Sequence, residues 1–295
     1  MAQAADHMST SSSDTSQAAQ TKTIAFQGER GAFGDEAVQV YFGERATVEP
    51  VPYRNFADVF RAVAAGEVDN GLAPIENSQA GSVPEVYDLL RQHDLFVSGE
   101  ISHPVNHSLM CLPGQKLCDI KRVISHPQAL AQCDVYLREL GAEIMATYDT
   151  AGSAKMIRDD NMEGVAAVAA ARAAELYQLD ILARNIQTIK DNYTRFILLG
   201  REPAPRQDNR PAKTMLVMAT PHLPGALYRC LGVLAERQIN MLKLESKPSR
   251  QRPWEYVFYL DFEGHRGDPA VRSALADLAG HTTFCKVLGS FAQWQ

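Results

Sequence analysis

The sequence predicts a two-part α/β protein, with a two-lobed α/β region followed by a smaller ferredoxin-like βαββαβ domain. Three observations lead to this. From Thr23 to Gly200 short apolar runs alternate with amphipathic ones. The stretch from Arg201 to Pro211 (REPAPRQDNRP) then interrupts the alternation with three prolines and five charges, the composition of a linker. The remaining residues read in order as strand, helix, strand, strand, helix, strand. A chain of 295 residues that is 45% hydrophobic and 22% charged can build two domains with real cores.

Taken in order, residues 1–21 are Ser, Thr, Gln and Ala without an apolar run for a secretory signal or a membrane span, and read as a disordered leader. TIAF is a strand that leads into a helix from about Gly34, and TVEPVPY leads into the helix NFADVFRAVAAG. VDNGLAPI precedes a helix near 84–93, whose start carries Ser82-Val-Pro-Glu85, a capping box. HSLMCL and IKRVI are further strands. Ser125-His126-Pro127-Gln128 has the spacing of a second capping box, and a helix ends at Leu137 to Gly141. This order predicts a largely parallel sheet. Nearly 180 residues is generous for one sheet, so residues 22–200 are expected to form two lobes around a cleft, with 201–211 as the linker. In residues 212–295 a helix over 224–237 repeats Leu227, Leu231 and Leu234 at four and three residues, giving one apolar stripe. A second helix spans 268–279. An unpaired edge strand in such a domain predicts association of copies, as a homodimer or homotetramer.

Composition excludes several classes. The five cysteines are odd in number and lack C-x-x-C pairing, which predicts reduced thiols in a cytoplasmic protein and no zinc site. A net charge of −6 without a basic run argues against nucleic acid and against anionic membranes. His103 and His107 flank a proline, and in extended chain they stand roughly 13 Å apart at about 3.3 Å per residue, so no metal is expected. There is no G-x-S-x-G elbow, Walker loop or H-E-x-x-H.

The candidate chemistry begins at Asp191-Asn-Tyr-Thr-Arg-Phe-Ile-Leu-Leu-Gly200. Thr194 can donate a hydrogen bond to a departing oxygen, Arg195 can hold a carboxylate through two parallel bonds, and Phe196 can wall the site. A regular strand would put Arg195 on the face opposite Thr194 and Phe196. Glu76 and Asn77 follow an apolar strand at its carboxyl end, where open α/β sheets place ligands. Asn77 suits a hydroxyl or carboxylate, and Glu76 is an acid candidate if burial raises its pKa. Ser125 is either a cap or a ligand group, and Gln132 lies one turn beyond Gln128 on the same helical face. Gly28-Glu-Arg-Gly31-Ala-Phe-Gly34 opens a helix whose free amides suit an anion. Its spacing is not that of a dinucleotide loop, although Glu49 falls where a ribose-binding acid would, so a carboxylate ligand ranks above NAD. In the C-terminal domain the amides at Gly225, Ala226 and Leu227 suit a carboxylate and Glu245 suits an ammonium, together a free amino acid.

Together these residues resemble the prephenate dehydratase family from Thr23 to the end. The resemblance rests on Asn192-Tyr-Thr-Arg-Phe196, Pro74-Ile-Glu-Asn77, Ser125-His-Pro-Gln128 through Gln132, and the segment from Glu245 to Tyr259. It implies a periplasmic-binding-protein-like catalytic region with the site in its cleft, and a C-terminal ACT-type domain that binds phenylalanine and inhibits. On this resemblance Thr194, Arg195, Phe196, Asn77, Ser125 and Gln132 are site residues, with Glu76 a further candidate. Gly225, Ala226, Leu227, Glu245 and Ser246 become effector-site residues. Lys247 departs from the family's arginine, keeping the charge and losing the planar fork. The implied reaction removes carbon dioxide and water from prephenate to give phenylpyruvate and needs no cofactor. Two rival readings are an arogenate dehydratase and a non-enzymatic amino-acid sensor.

Overall fold

The computed structural model describes residues 21–43, 46–207, 209–248 and 256–294. The expected leader and the middle of the segment from Glu245 to Tyr259 thus lie almost wholly outside the described residues.

The first lobe opens with β1 (Lys22–Gln27), α1 (Phe33–Phe42), β2 (Val48–Tyr53), α2 (Phe56–Ala65) and β3 (Asn70–Asn77). A short β4 (Gly81–Ser82), α3 (Pro84–Gln92) and β5 (Phe96–Pro104) complete its first passage. The chain then crosses into a second lobe. This lobe runs through β6 (Ser108–Cys111), β7 (Arg122–Ser125), α4 (Pro127–Gln132), α5 (Asp134–Leu140), β8 (Glu143–Ala146), α6 (Thr150–Asp159), β9 (Val165–Ala169), α7 (Ala171–Tyr177) and β10 (Asp180–Ala183). It returns as β11 (Tyr193–Gly200), which inserts antiparallel between β3 and β5 to give the sheet order β2-β1-β3-β11-β5. The second lobe's sheet has the order β10-β6-β9-β7-β8.

Both sheets are mixed rather than largely parallel. The βα units pair in parallel, as β1 does with β2 and β3, and β7 with β8 and β9. The strands next to the crossovers enter from the other lobe and so pair antiparallel. The two crossovers are bonded to each other. The Val105 amide donates to the Asn192 carbonyl at 2.8 Å, and the Ile186 amide to the His107 carbonyl at 3.0 Å. The lobes also meet beside α1, where a Cβ on Gly31 (φ +85°) would lie 2.9 Å from the Ala173 Cα, so glycine is what allows the approach.

The C-terminal domain comprises β12 (Ala212–Ala219), α8 (Ala226–Ala235), β13 (Met241–Pro248), β14 (Tyr256–Glu263), α9 (Pro269–His281) and β15 (Phe284–Ala292), with sheet order β13-β14-β12-β15. One face of this sheet holds Leu216, Met218, Leu260 and Phe262 under the two helices. The other face, with Met215, Val217, Tyr259 and Phe291, shares one apolar core with Val59, Ile75, Tyr87 and Ile197 of the first lobe. The approach is close enough that a Cβ on Gly289 would collide with the Val97 carbonyl oxygen. Among the described residues no helix is long and apolar enough to cross a membrane.

Candidate active site

A cleft of about 420 Å³ lies between the two lobes. Five helices begin on it, since Phe33 and Gly34 of α1, Asn55 and Phe56 at α2, Val83 and Glu85 at α3, His126 and Gln128 at α4, and Asp149 and Thr150 at α6 all line it. Helix starts carry unsatisfied amides and a partial positive charge, which suits an anion. The Asn55 side chain caps the Asp58 amide at 2.9 Å, and Asp149 caps the Gly152 amide at 2.7 Å. At α1 the cap position is Ala32, which has no polar side chain to offer. In the loop read from sequence as an anion cradle, the amides of Gly28, Gly31 and Ala32 are taken by the Tyr53 carbonyl, the Asp35 carboxylate and the Glu29 carbonyl, which leaves the uncapped first amides of α1, at Phe33 and Gly34 on the cleft lining, for an anion. Arg54 adds the arginine of the lining, and Phe33, Phe56, Leu72 and Phe196 supply apolar wall.

Of the predicted site residues, Thr194, Phe196, Asn77 and Gln132 line this cleft. The Asn77 amide is fixed by its partners, because Oδ1 accepts from the amides of Gln79 at 2.9 Å and Ala80 at 2.8 Å. Its Nδ2 must then face the other way, and it donates to Thr194 Oγ1 at 2.9 Å and Asn192 Oδ1 at 2.8 Å. Gln132 Oε1 lies 2.8 Å from His107 Nε2, so the ring hydrogen sits on Nε2 and the Gln132 N–H groups are left for another acceptor. Burial pushes the His107 ring below the ordinary histidine pKa despite that bond.

Arg195, Glu76 and Ser125 require correction. Arg195 does not enter the cleft, because alternation along β11 turns it to the opposite face. There it bonds Glu76 at 2.9 Å and Asp261 of β14 at 2.8 Å. Burial alone would push the Glu76 carboxyl up, but Lys243 and Arg195 outweigh it and hold the group below the usual carboxylate range. A side chain held ionised outside the cleft is not the acid expected of it. Ser125 is fully buried and its hydroxyl donates to the Val168 carbonyl at 2.6 Å, inside the second lobe. The cap of α4 is His126, whose Nδ1 accepts from the Gln128 amide at 3.2 Å. The other expected capping box is likewise absent, since Ser82 gives its hydroxyl to Glu245 and α3 starts without a side-chain cap.

Sequence reasoning passed over Asp149, Arg54 and Tyr148 and weighed His107 only as a metal ligand, yet all four line the cleft. Asp149 stands at a strand end just before a helix, the same position that singled out Asn77, so a signal was present. Burial raises its carboxyl above the usual range, with the Gly152 amide opposing and Glu29 adding to the rise. Among the described residues no group of three or more His, Cys, Asp or Glu side chains could hold a metal ion. All five cysteines are free.

The expected effector residues separate into two groups. Gly225, Ala226 and Leu227 line a hollow of about 230 Å³ with Thr220, Tyr256 and Phe258. Ser246 pairs across the strands with Phe258, on the hollow's side of the sheet. Glu245 pairs with Tyr259 on the other side, toward the first lobe, and meets Ser82 and Lys243 there. Lys247 also faces the lobe, with its ammonium 4.3 Å from the Tyr87 ring centroid.

A family model described as prephenate dehydratase matches residues 24–204. The chain belongs to the prephenate dehydratase family. A model for the ACT domain matches residues 214–280. An Arabidopsis thaliana protein named arogenate dehydratase/prephenate dehydratase 2, chloroplastic, is 42% identical over 91% of this chain and 72% of its own length. The solved prephenate dehydratase of Arthrobacter aurescens, in complex with L-Phe, is 34% identical with a TM-score of 0.81, covering 92% of this chain and 90% of its own. GqqA, described as a novel type of quorum quenching acylase, is 36% identical with a TM-score of 0.84 over 92% of this chain and 98% of its own. Family membership makes this prephenate dehydratase relative a hydro-lyase with a C-terminal ACT domain.

Proposed function

We propose that the cleft binds prephenate and converts it to phenylpyruvate, carbon dioxide and water. The bond from the ring to its carboxylate breaks, its electron pair completes the aromatic ring, and the ring hydroxyl leaves with one proton as water. No electrons are left over, so the reaction calls for no redox cofactor. The reading is carried by the Asn77–Thr194 pair. Because Asn77 Nδ2 donates to Thr194 Oγ1, the threonine's own hydrogen remains available to the departing hydroxyl. The open start of α1, with Arg54 and the Gln132 amide, holds the substrate's carboxylates. With Glu76 ion-paired outside the cleft, Asp149 supplies the proton, as its raised pKa suits.

Arogenate is the second reading, favoured by the two acids, Asp149 and Glu85, that line the cleft and could meet an ammonium. Amide or lactone cleavage by an activated hydroxyl finds less support, since neither Thr194 nor Ser125 is hydrogen-bonded to a histidine. For regulation, phenylalanine occupies the hollow at Gly225, Ala226 and Leu227 and inhibits. Within one chain Glu245 does not reach that hollow. The edge strand β13, with Leu242 and Leu244 exposed, favours pairing of two copies.

The test is to incubate the protein with prephenate and with arogenate, and to measure phenylpyruvate and phenylalanine formation with and without added phenylalanine. Phenylpyruvate from prephenate, suppressed by phenylalanine, is expected. Phenylalanine formation from arogenate alone would move the assignment to that substrate, and no product from either would end the enzymatic reading of this cleft.

A further inference from the structure

The strand end that carries Thr194 is held unevenly. On the β3 side the ladder pairs Thr194 with Asn77 and Arg195 with Glu76, then shifts, so that Phe196 pairs with Pro74 and Ile75 is the extra residue. Proline offers no amide there, and a bulge loosens and bends the pairing around it. Side chains take over the restraint. On the cleft face this is Asn77. On the opposite face it is Arg195, whose strong anchor outside the lobe is Asp261, at 2.8 Å and 4% exposed. Asp261 is in turn 3.4 Å from Lys213, which lies 2.6 Å from Glu100.

We propose that Asp261, a residue of the C-terminal domain, is a positioning residue for the dehydration: by holding Arg195 it fixes the strand end from which Thr194 reaches the cleft. The inference rests on the role given to Thr194 above. A guanidinium with two acceptors in fixed directions resists both translation and twist of the residue that carries it. Releasing one of them lets the adjoining bulge relax, and displacement of a reacting group by a fraction of an ångström lowers turnover without changing how the rest of the substrate is held.

The experiment compares the full-length wild type with Asp261→Asn, Asp261→Glu and Lys286→Met by steady-state kinetics and thermal unfolding. Lys286 serves as the control because it binds the same two domains together, through the carbonyls of Leu90 at 3.4 Å and His93 at 2.7 Å, without touching β11. Asp261→Asn is expected to lower kcat about tenfold at nearly unchanged KM, and Asp261→Glu, which keeps the charge, to recover part of it. Lys286→Met is expected to lower the melting temperature and leave kcat unchanged. Should Asp261→Asn not fold, the Arg195→Met/Asp261→Leu double variant removes both charges together and is expected to fold with the same loss in kcat. Wild-type kcat in Asp261→Asn, or in the double variant where Asp261→Asn does not fold, overturns the positioning role while leaving the dehydratase reading intact, as does an equal kcat loss in Lys286→Met. A wild type that forms no product overturns both.

Discussion

The two faces of β11 are built from adjacent residues and do opposite things. Thr194 and Phe196 face a cleft where Arg54, Glu85 and Asp149 are not ion-paired to one another and where the Thr194 hydroxyl hydrogen and the Gln132 N–H groups are left for a ligand. Arg195 faces the C-terminal domain, among Glu76, Glu100, Asp261 and Lys213, where every charge has a partner within 4 Å. The cleft face is arranged for differential binding of something absent from the chain, whereas the other face is internally satisfied. A contiguous motif is therefore not a contiguous site. In a strand, three successive residues address two compartments, and here the compartments are the catalytic cleft and the domain boundary.

The largest test of that contrast is Thr194→Ala. Loss of the donor to the leaving hydroxyl should lower kcat by about a hundredfold or more. Stability should fall by less than about 1 kcal/mol, because Asn77 Nδ2 keeps Asn192 Oδ1 and the Tyr193 carbonyl as acceptors. Turnover near that of the wild type would remove Thr194 from the reaction. Arg195→Met probes the other face: beside the about tenfold loss in kcat expected from its hold on the strand end, it should lower stability in urea unfolding by about 2 kcal/mol. The value lies below the usual cost of breaking a buried pair because partners remain: Asp261 keeps Lys213 at 3.4 Å, and Glu76 keeps Lys243 at 3.0 Å. An unchanged unfolding midpoint would mean that the ion cluster contributes nothing net.

What could be read from the sequence follows from the same geometry. The alternation of β11 is local, so the opposed directions of Thr194 and Arg195 were foreseeable. The partner of Arg195 was not, because Asp261 is 66 residues away in another domain. Ser82 and Ser125 show the converse failure. Each stands at capping-box spacing, yet their hydroxyls go to Glu245 and to the Val168 carbonyl, tertiary acceptors that no local pattern reveals. The order of elements in the C-terminal domain was legible because each is separated by a clear turn. The antiparallel insertion of β11 was hidden, since it depends on the chain returning from the second lobe. Asp149 was overlooked because β8 before it is short and largely exposed, which weakens the strand signal that marks a ligand-bearing end.

The smallest effect separates the two faces by pH. His107, on the cleft, is held neutral by burial, with its pKa below the ordinary 6.5. As pH falls through 6.5 the unfolded chain takes up a proton there that the folded chain does not, so stability declines, by at most about 1.4 kcal/mol per pH unit for the one group. Glu76 and Glu245, at the domain boundary, behave differently. Burial would raise both, but Lys243 with Arg195 in one case, and Ser82 with Lys243 in the other, hold them below 4.5. Their contribution is complete above 4.5 and is lost only as pH drops through their lower folded values. Urea unfolding at intervals from pH 7 to pH 3 should thus show two declines. His107→Gln should flatten the upper one and leave the lower one in place. If the decline between pH 6.5 and pH 5 survives that substitution, the neutral histidine is not its source, and the contrast between a cleft residue held neutral and a boundary held ionised fails at this residue.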